Sequence, residues 1–227
     1  GIGSSTSQYG SNDWSDSALQ IVLNSGAYWN RTSGDCPYGQ NGATTPCDFS
    51  SNGLTEEAKT MIEDAVWNLG GLSHETSDSS YYHTVITSAW YMYEKENSVY
   101  EGRPIKWIGV IGLMYSSDFG YATSGGTIFN RSTCLSYPLY NWYYDSTNNY
   151  PDCYNNDWLY KNGSNQWTIT PSFSLGDATF IIHYGGGAGG ANAVRTDCRV
   201  FPSTYLSSNV KITSGTGSSS DPYLLSL

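Results

Sequence analysis

The chain is short of charge. Of its 227 residues, 13% are Asp, Glu, Lys or Arg, about half the roughly 25% of an ordinary globular domain. Lys and Arg are scarcest, 10 against 20 acidic residues, for a net charge of −10. Scattered cations on an acidic chain leave no electrostatic footprint for a phosphate backbone, which argues against nucleic-acid binding. No apolar run reaches the roughly 18 residues of a membrane-spanning helix. Gly1 to Ser5 has neither the basic start nor the apolar stretch of a signal peptide, and a leader or anchor removed upstream is compatible with that. Residues 1–11 read as a poorly ordered leader. No internal repeat or linker divides the rest, so 1–227 reads as one domain.

Aromatics are plentiful instead: 20 Tyr, 8 Trp and 6 Phe, 15% of the chain. That excludes wholesale disorder, and a chain of this length can bury about 70% of its unfolded surface. Tyr, Ser, Gly and Asn dominate, the mixture that gives antibody paratopes rigid contact area and adaptable hydrogen bonds. A secreted β-rich protein with many polar turns has a similar composition.

The helix signals lie early. Asp13 or Ser15 can cap a helix with Leu19, Val22 and Leu23 on one face and Gly26 as its stop. Thr55 is a good N-cap, followed by Glu56 and Glu57 where the helix dipole favours acids. Ala58, Met61, Ile62, Ala65, Val66 and Leu69 then form a helical stripe, so a helix from Thr55 to Leu69 is expected, with Met61, Ile62, Val66 and Leu69 buried. Tyr82 to Tyr93 fits helix and strand almost equally, and its Tyr, Thr, Val, Ile and Trp favour strand. Lys106 to Met114 reads as a buried strand, with a helical turn from Ser117 to Ala122 after it. Residues 123–156 read as a long tyrosine-rich loop. Trp167 to Pro171, Thr179 to Tyr184, Arg199 to Leu206 with a kink at Pro202, Val210 to Ile212 and Tyr223 to Leu225 read as strands. Gly185 to Gly190 reads as a flexible turn.

Five cysteines carry no C-x-x-C spacing. Pairing neighbours gives Cys36–Cys47 and Cys134–Cys153, two local staples worth about 2–4 kcal/mol each in the chain-entropy picture, and places the chain in an oxidising compartment. Buried free thiols are the alternative. Cys198 is left over, and reads as buried and unpaired.

Asp152, Asn155, Asn156 and Asp157 cluster oxygen atoms as calcium requires, but Asx residues in a turn ordinarily bond their own backbone, so no metal or other cofactor is assigned. All seven Glu precede Gly102, and the later Asp residues sit in expected turns. A pair of carboxylates facing across a cleft is therefore unsupported, although Asp157 or Asp177 would serve a carbohydrate-active enzyme. No nucleophile elbow accompanies the three His. Asn30, Asn130 and Asn162 begin glycosylation sequons.

A set of short motifs in a fixed order resembles a known family. Asp13-Trp14-Ser15-Asp16-Ser17 with Leu23-Asn24-Ser25-Gly26 is similar to the opening of a group of bacterial surface proteins. Gly112 to Phe119, Asn156-Asp157-Trp158-Leu159 and Trp167 to Pro171 follow in the same order. Arg199 to Leu206 matches a closing strand in part, with Phe201 where that strand has Arg. The order resembles the C-type-lectin-like fold, nearest its formylglycine-generating-enzyme-like branch and the variable proteins of diversity-generating retroelements. The resemblance spans most of residues 12–226. It implies an α+β fold, two helices packed on twisted antiparallel sheets with long loops. Formylglycine chemistry needs a late cysteine pair, and only Cys198 follows Cys153, so that activity does not carry over.

In the variable relatives the diversified positions lie on late strands and loops, which points to residues 178–206. Strand alternation buries Phe180 and Ile182 and exposes Ile181 and His183, with Tyr184 at the strand's end and Asn192, Arg195 and Asp197 nearby. Tyr140, Trp142, Tyr143 and Tyr144 border them. The alternative is that these tyrosines cover core beneath a long loop. The expectation is a non-enzymatic adhesin or receptor-binding module, extracellular or on a cell surface, exported by a bacterium or phage. Its partner would be a protein or glycan on another cell or phage host. The rival is the head of a pilin-like filament.

Overall fold

The computed structural model describes residues 11–34, 47–126, 130–143, 150–161, 163–192, 198–218 and 220–227. Residues 1–10 of the expected leader lie outside these. Asn12 is anchored: its Nδ2 donates to the carbonyls of Ser172, Leu175 and Ala178 at 2.9, 3.0 and 2.8 Å. A 3-10 turn, Trp14–Asp16, is capped by Asp13, and Ser17 caps α1 (Ala18–Asn24) by accepting from Gln20 N–H. Val22 and Leu23 are buried as the stripe requires. After α2 (Ala27–Asn30), β1 (Ser33–Gly34) pairs with β2 (Cys47–Asp48).

The second expected helix is cut short. Thr55 does cap α3, but α3 (Glu56–Met61) gives way at once to β3 (Ile62–Glu63) and β4 (Ala65–Asn68). Val66 is 52% exposed and Met61 and Ile62 are half-buried, while Leu69 is buried as expected. The side chain that decides the matter is Trp67. It lies off the helical stripe, yet it is buried in the core and donates through Nε1 to the Gly109 carbonyl at 2.9 Å. Strand geometry sends Trp67 and Leu69 to one face and Val66 to the other.

Tyr82 to Tyr93 is corrected the other way. A 3-10 turn (Tyr81–Thr84) leads to α4 (Thr87–Glu96), whose buried residues are Thr87, Trp90 and Glu94, one helical face. Lys106 to Met114 breaks at Val110 into β5 (Lys106–Gly109) and β6 (Ile111–Leu113). β5 pairs with β4, so the break lets β6 turn to another sheet. Gly112 is required there, because a Cβ on it would lie 2.5 Å from the Trp67 ring. The turn after Met114 is α5 (Ser116–Ala122).

Residues 123–156 are no long loop where described. They hold α6 (Arg131–Ser136), a 3-10 turn (Leu139–Trp142) and α7 (Pro151–Asn155). The Cys134–Cys153 disulfide joins α6 to α7, and both cysteines are fully buried. Cys47 is disulfide-bonded, and Cys36, its expected partner, lies outside the described residues. Cys198 carries a thiol and packs, half-buried, against the core.

The late strands are β7 (Gln166–Pro171), β8 (Ala178–Ile182), β9 (Ala188–Asn192), β10 (Pro202–Leu206), β11 (Lys211–Ser214) and β12 (Leu224–Ser226). All ladders between them are antiparallel: β7-β8-β9 in the centre, β3-β10-β6 beside it, and β11-β12 as a hairpin. The fold is α+β, built from several small antiparallel sheets and short helices.

The central sheet is covered on both faces. Phe180 and Ile182 join Trp90, Phe119, Leu139 and Trp142 in one core, under α4 to α7. Ile181 and Trp167 join Trp14, Leu23, Trp67 and Leu113 in a second core on the other side. Each such apolar side chain contributes about 1.5–3 kcal/mol on burial. A strand buried on both faces reads as an unbroken apolar run rather than an alternating one, which is the pattern of Thr179-Phe180-Ile181-Ile182. The expectation that Ile181 faces solvent is therefore overturned: it is 3% exposed.

Candidate functional site

At the far end of β8 the chain leaves the sheet at His183 and turns back through Gly185, Gly186 and Gly187 into β9. The turn is hydrogen-bonded: His183 N–H donates to the Gly187 carbonyl at 2.9 Å, and Gly186 N–H donates to the His183 carbonyl at 2.8 Å. Gly186 adopts φ +81°, where glycine carries no steric penalty. Gly187 meets the 3-10 turn at Leu139–Trp142 so closely that a Cβ would lie 2.9 Å from Tyr143 N and 3.0 Å from the Tyr140 carbonyl. The glycine tract expected to be a flexible turn is thus a tight turn feeding a strand.

This approach creates an aromatic cleft of about 180 Å³, lined by Tyr82, Tyr140, Tyr143 and His183 with the start of β9 at Gly187 to Gly189. Tyr143 meets His183 edge to face at 4.3 Å, and Tyr82 meets Tyr140 the same way at 5.4 Å. His83 stacks on Tyr140 at 3.6 Å. Tyr184 borders the cleft, 41% exposed, with its backbone held by Asn165 and Tyr160. Among the described residues the lining carries no Asp, Glu, Lys or Arg. Burial pushes the Tyr82 phenol up, with Tyr140 adding to it, and burial holds the His83 imidazole below its ordinary value, against a smaller opposing pull from Asp78. Both shifts favour the uncharged form of these groups. The site offers ring faces for stacking and phenol and imidazole groups for hydrogen bonds.

Of the ten residues expected to form the site, Tyr140, Tyr143, His183 and Tyr184 come together here. Trp142 does not: it is fully buried in the core, pointing opposite to its neighbours on the 3-10 turn. Ile181 is core, as above. Asn192 ends β9 opposite Ala178, and its side chain is outside the described atoms. Tyr144, Arg195 and Asp197 lie outside the described residues. Tyr82 and His83 belong to the site and were missed, because their segment reads as strand rather than as the turn before α4.

The acidic candidates lie elsewhere. Asn156 Nδ2 donates to the Asp152 carbonyl at 2.8 Å, and Asp157 Oδ1 accepts from Leu159 N–H at 2.9 Å. Asp157 is buried with its Oδ2 unpartnered, and burial pushes its carboxyl up to about 8. Asp177 sits in the turn before β8, on the side of Tyr100. Neither carboxylate lines the aromatic cleft.

Comparison with known protein families, curated proteins and solved structures finds no match to this chain.

Proposed function

We propose that the protein is a non-enzymatic ligand-binding module, an adhesin or receptor-binding domain of C-type-lectin-like architecture, displayed outside the cell by a bacterium or phage. The observation that carries this reading is the aromatic cleft of Tyr82, Tyr140, Tyr143 and His183 at the end of the central sheet. Aromatic side chains supply most of the energy at recognition surfaces and lose little entropy on binding. A ring-walled cleft without carboxylate, Lys or Arg among its described lining residues fits a sugar ring or an apolar side chain of a protein or glycan on another cell or phage host. The Cys134–Cys153 disulfide supports an oxidising location. Sequence diversification remains part of the proposal for His183 and Tyr184 and the chain after β9; β8 itself is core and has no free surface to vary.

A second reading, the head of a pilin-like filament, is favoured by the C-terminal hairpin. Ile212, Leu224 and Leu227 are 61%, 59% and 61% exposed there, and a lone two-stranded hairpin is marginal in water without something to pack on.

The test is a panel of immobilised glycans and host cell surfaces probed with the wild-type chain and with Tyr140→Ala/His183→Ala. The binding reading requires a retained surface that the double variant no longer recognises. Retention that is unchanged in the variant, or no retention together with concentration-dependent polymerisation, favours the filament.

A further inference from the structure

We propose that a second pocket, beside α5 and separate from the aromatic cleft, binds an organic cation, an alkylammonium group. The pocket encloses about 360 Å³ and is lined chiefly by Met114, Asp118, Tyr121, Trp158, Leu159 and Ser203. It combines one carboxylate with two aromatic rings and apolar walls.

Asp118 is the anionic element. Its Oδ2 accepts one hydrogen bond, from Tyr115 N–H at 2.9 Å. Its Oδ1 takes none, and no Lys or Arg forms an ion pair with it among the described residues. The titratable groups that feel its charge are Glu94, Tyr115 and Tyr205, all acids or phenols. The carboxylate is solvent-reachable at the mouth, yet the surrounding walls crowd it enough to push its pKa up. A cation entering the pocket would relieve that cost.

Trp158 is the aromatic element. At 71% it is the most exposed large hydrophobic side chain among the described residues. An indole face presented to solvent beside an uncompensated carboxylate is what a cation–π site requires. Two alternatives fit less well. A hard metal ion needs six or more oxygen ligands, and the walls here are mostly carbon. A neutral apolar ligand would strip water from Asp118 without replacing it. The net charge of −10 draws cations toward the whole molecule. This inference does not depend on the aromatic cleft, and either can fail without the other.

The pocket is open enough to take either a free quaternary ammonium or a lysine side chain from a partner polypeptide, and the experiment separates the two. The wild-type chain is titrated with choline and with N-acetyl-lysine methylamide, each paired with its neutral isostere, 3,3-dimethylbutanol and N-acetyl-norleucine methylamide. Trp fluorescence and NMR shifts read the binding. At least one cation should bind at least about tenfold more tightly than its isostere. Trp158→Ala and Asp118→Asn should each weaken it about tenfold, and Tyr140→Ala should not. Choline alone would identify a free ammonium ligand, the lysine amide alone a polypeptide one. Trp158 is exposed and Asn can still accept from Tyr115 N–H, so both variants should fold. Equal binding of isosteres, no binding by either cation, or unchanged affinity in both variants overturns the proposal.

Discussion

Thr170 Oγ1 donates to Glu94 Oε1 at 2.7 Å, at a site where Glu94 is only 2% exposed. Ser117 donates to the same carboxyl through both its hydroxyl and its N–H. Three elements, α4, α5 and β7, are thereby tied through one acidic group in the core. Burial outweighs these hydrogen bonds and pushes the Glu94 carboxyl up to about 7 from 4.5.

A pH dependence follows, with a definite sign. The folded state holds a proton that the unfolded state releases, so stability falls as pH rises from about 4.5 to about 7 and is level above that. Asp157, raised from 3.8 to about 8, extends the fall upward. The Glu94 contribution is about 2–4 kcal/mol across its window. Glu94→Gln keeps an acceptor for Thr170 and removes the ionisation, so it should stabilise the protein at pH 8 by about 1–3 kcal/mol and flatten the slope. Urea unfolding at several pH values measures both.

The disulfide should matter on its own. Cys134 and Cys153 are 19 residues apart, and closing such a loop constrains the unfolded chain by about 3 kcal/mol. Replacing both by Ala should lower stability by that amount or more, since both sulfurs are buried and leave space behind. Comparison of unfolding midpoints between the wild-type chain and Cys134→Ala/Cys153→Ala, both kept oxidised because Cys47 is also disulfide-bonded, measures it.

Trp67 and Val66 distinguish strand from helix in solution. Trp67→Ala should cost about 3–5 kcal/mol as a core truncation. Val66→Ala should change stability by no more than about 0.5 kcal/mol, as an exposed position. Thermal unfolding of the two variants decides between the geometries, because a continuous helix from Thr55 would reverse the order.

The same pair shows how much was legible in the sequence. Capping signals were so in part: Thr55 caps α3 as read, but α1 is capped by Ser17 rather than Asp13 or Ser15, and α5 opens from Tyr115, ahead of Ser117. Most of the late strands were legible as β-branched and aromatic runs, but β9 was not, because Ala188 to Asn192 is built from glycine, alanine and asparagine and reads as a turn. What was not legible is where a helix stops when both periods fit. Ala65, Val66 and Leu69 satisfy the helical spacing, and only the partner strand β5 selects the pleated alternative that buries Trp67. In α4 the buried face includes a glutamate, so its apolar stripe is broken at Glu94. The cleft was half legible: the tyrosines and His183 were in view, but Tyr82 and His83 reach it only because their segment folds as a turn and helix. Ile181 failed for a related reason, since strand alternation presumes one wet face and the central sheet has none.

Gly187 gives a way to disturb the cleft without touching a ligand-contacting ring. Gly187→Ala would press a methyl to 2.9 Å from Tyr143 N, closer than real Cβ atoms come, and to 3.0 Å from the Tyr140 carbonyl, a tight contact. The turn at Leu139–Trp142 must then shift. Ligand affinity should fall about tenfold or more, with a stability loss of about 1–3 kcal/mol. Binding assays paired with thermal melts measure both quantities.

The central claim, that this cleft is the binding site, rests on one comparison above the others. The dissociation constant for whichever glycan or surface the wild-type chain retains is measured for Tyr140→Ala, Tyr143→Ala and His183→Ala, beside their melting temperatures and with Trp158→Ala as a control outside the cleft. The three cleft variants should stay folded and each lose about tenfold or more in affinity, while the control binds as the wild type does. Undiminished binding by all three folded cleft variants would contradict that claim.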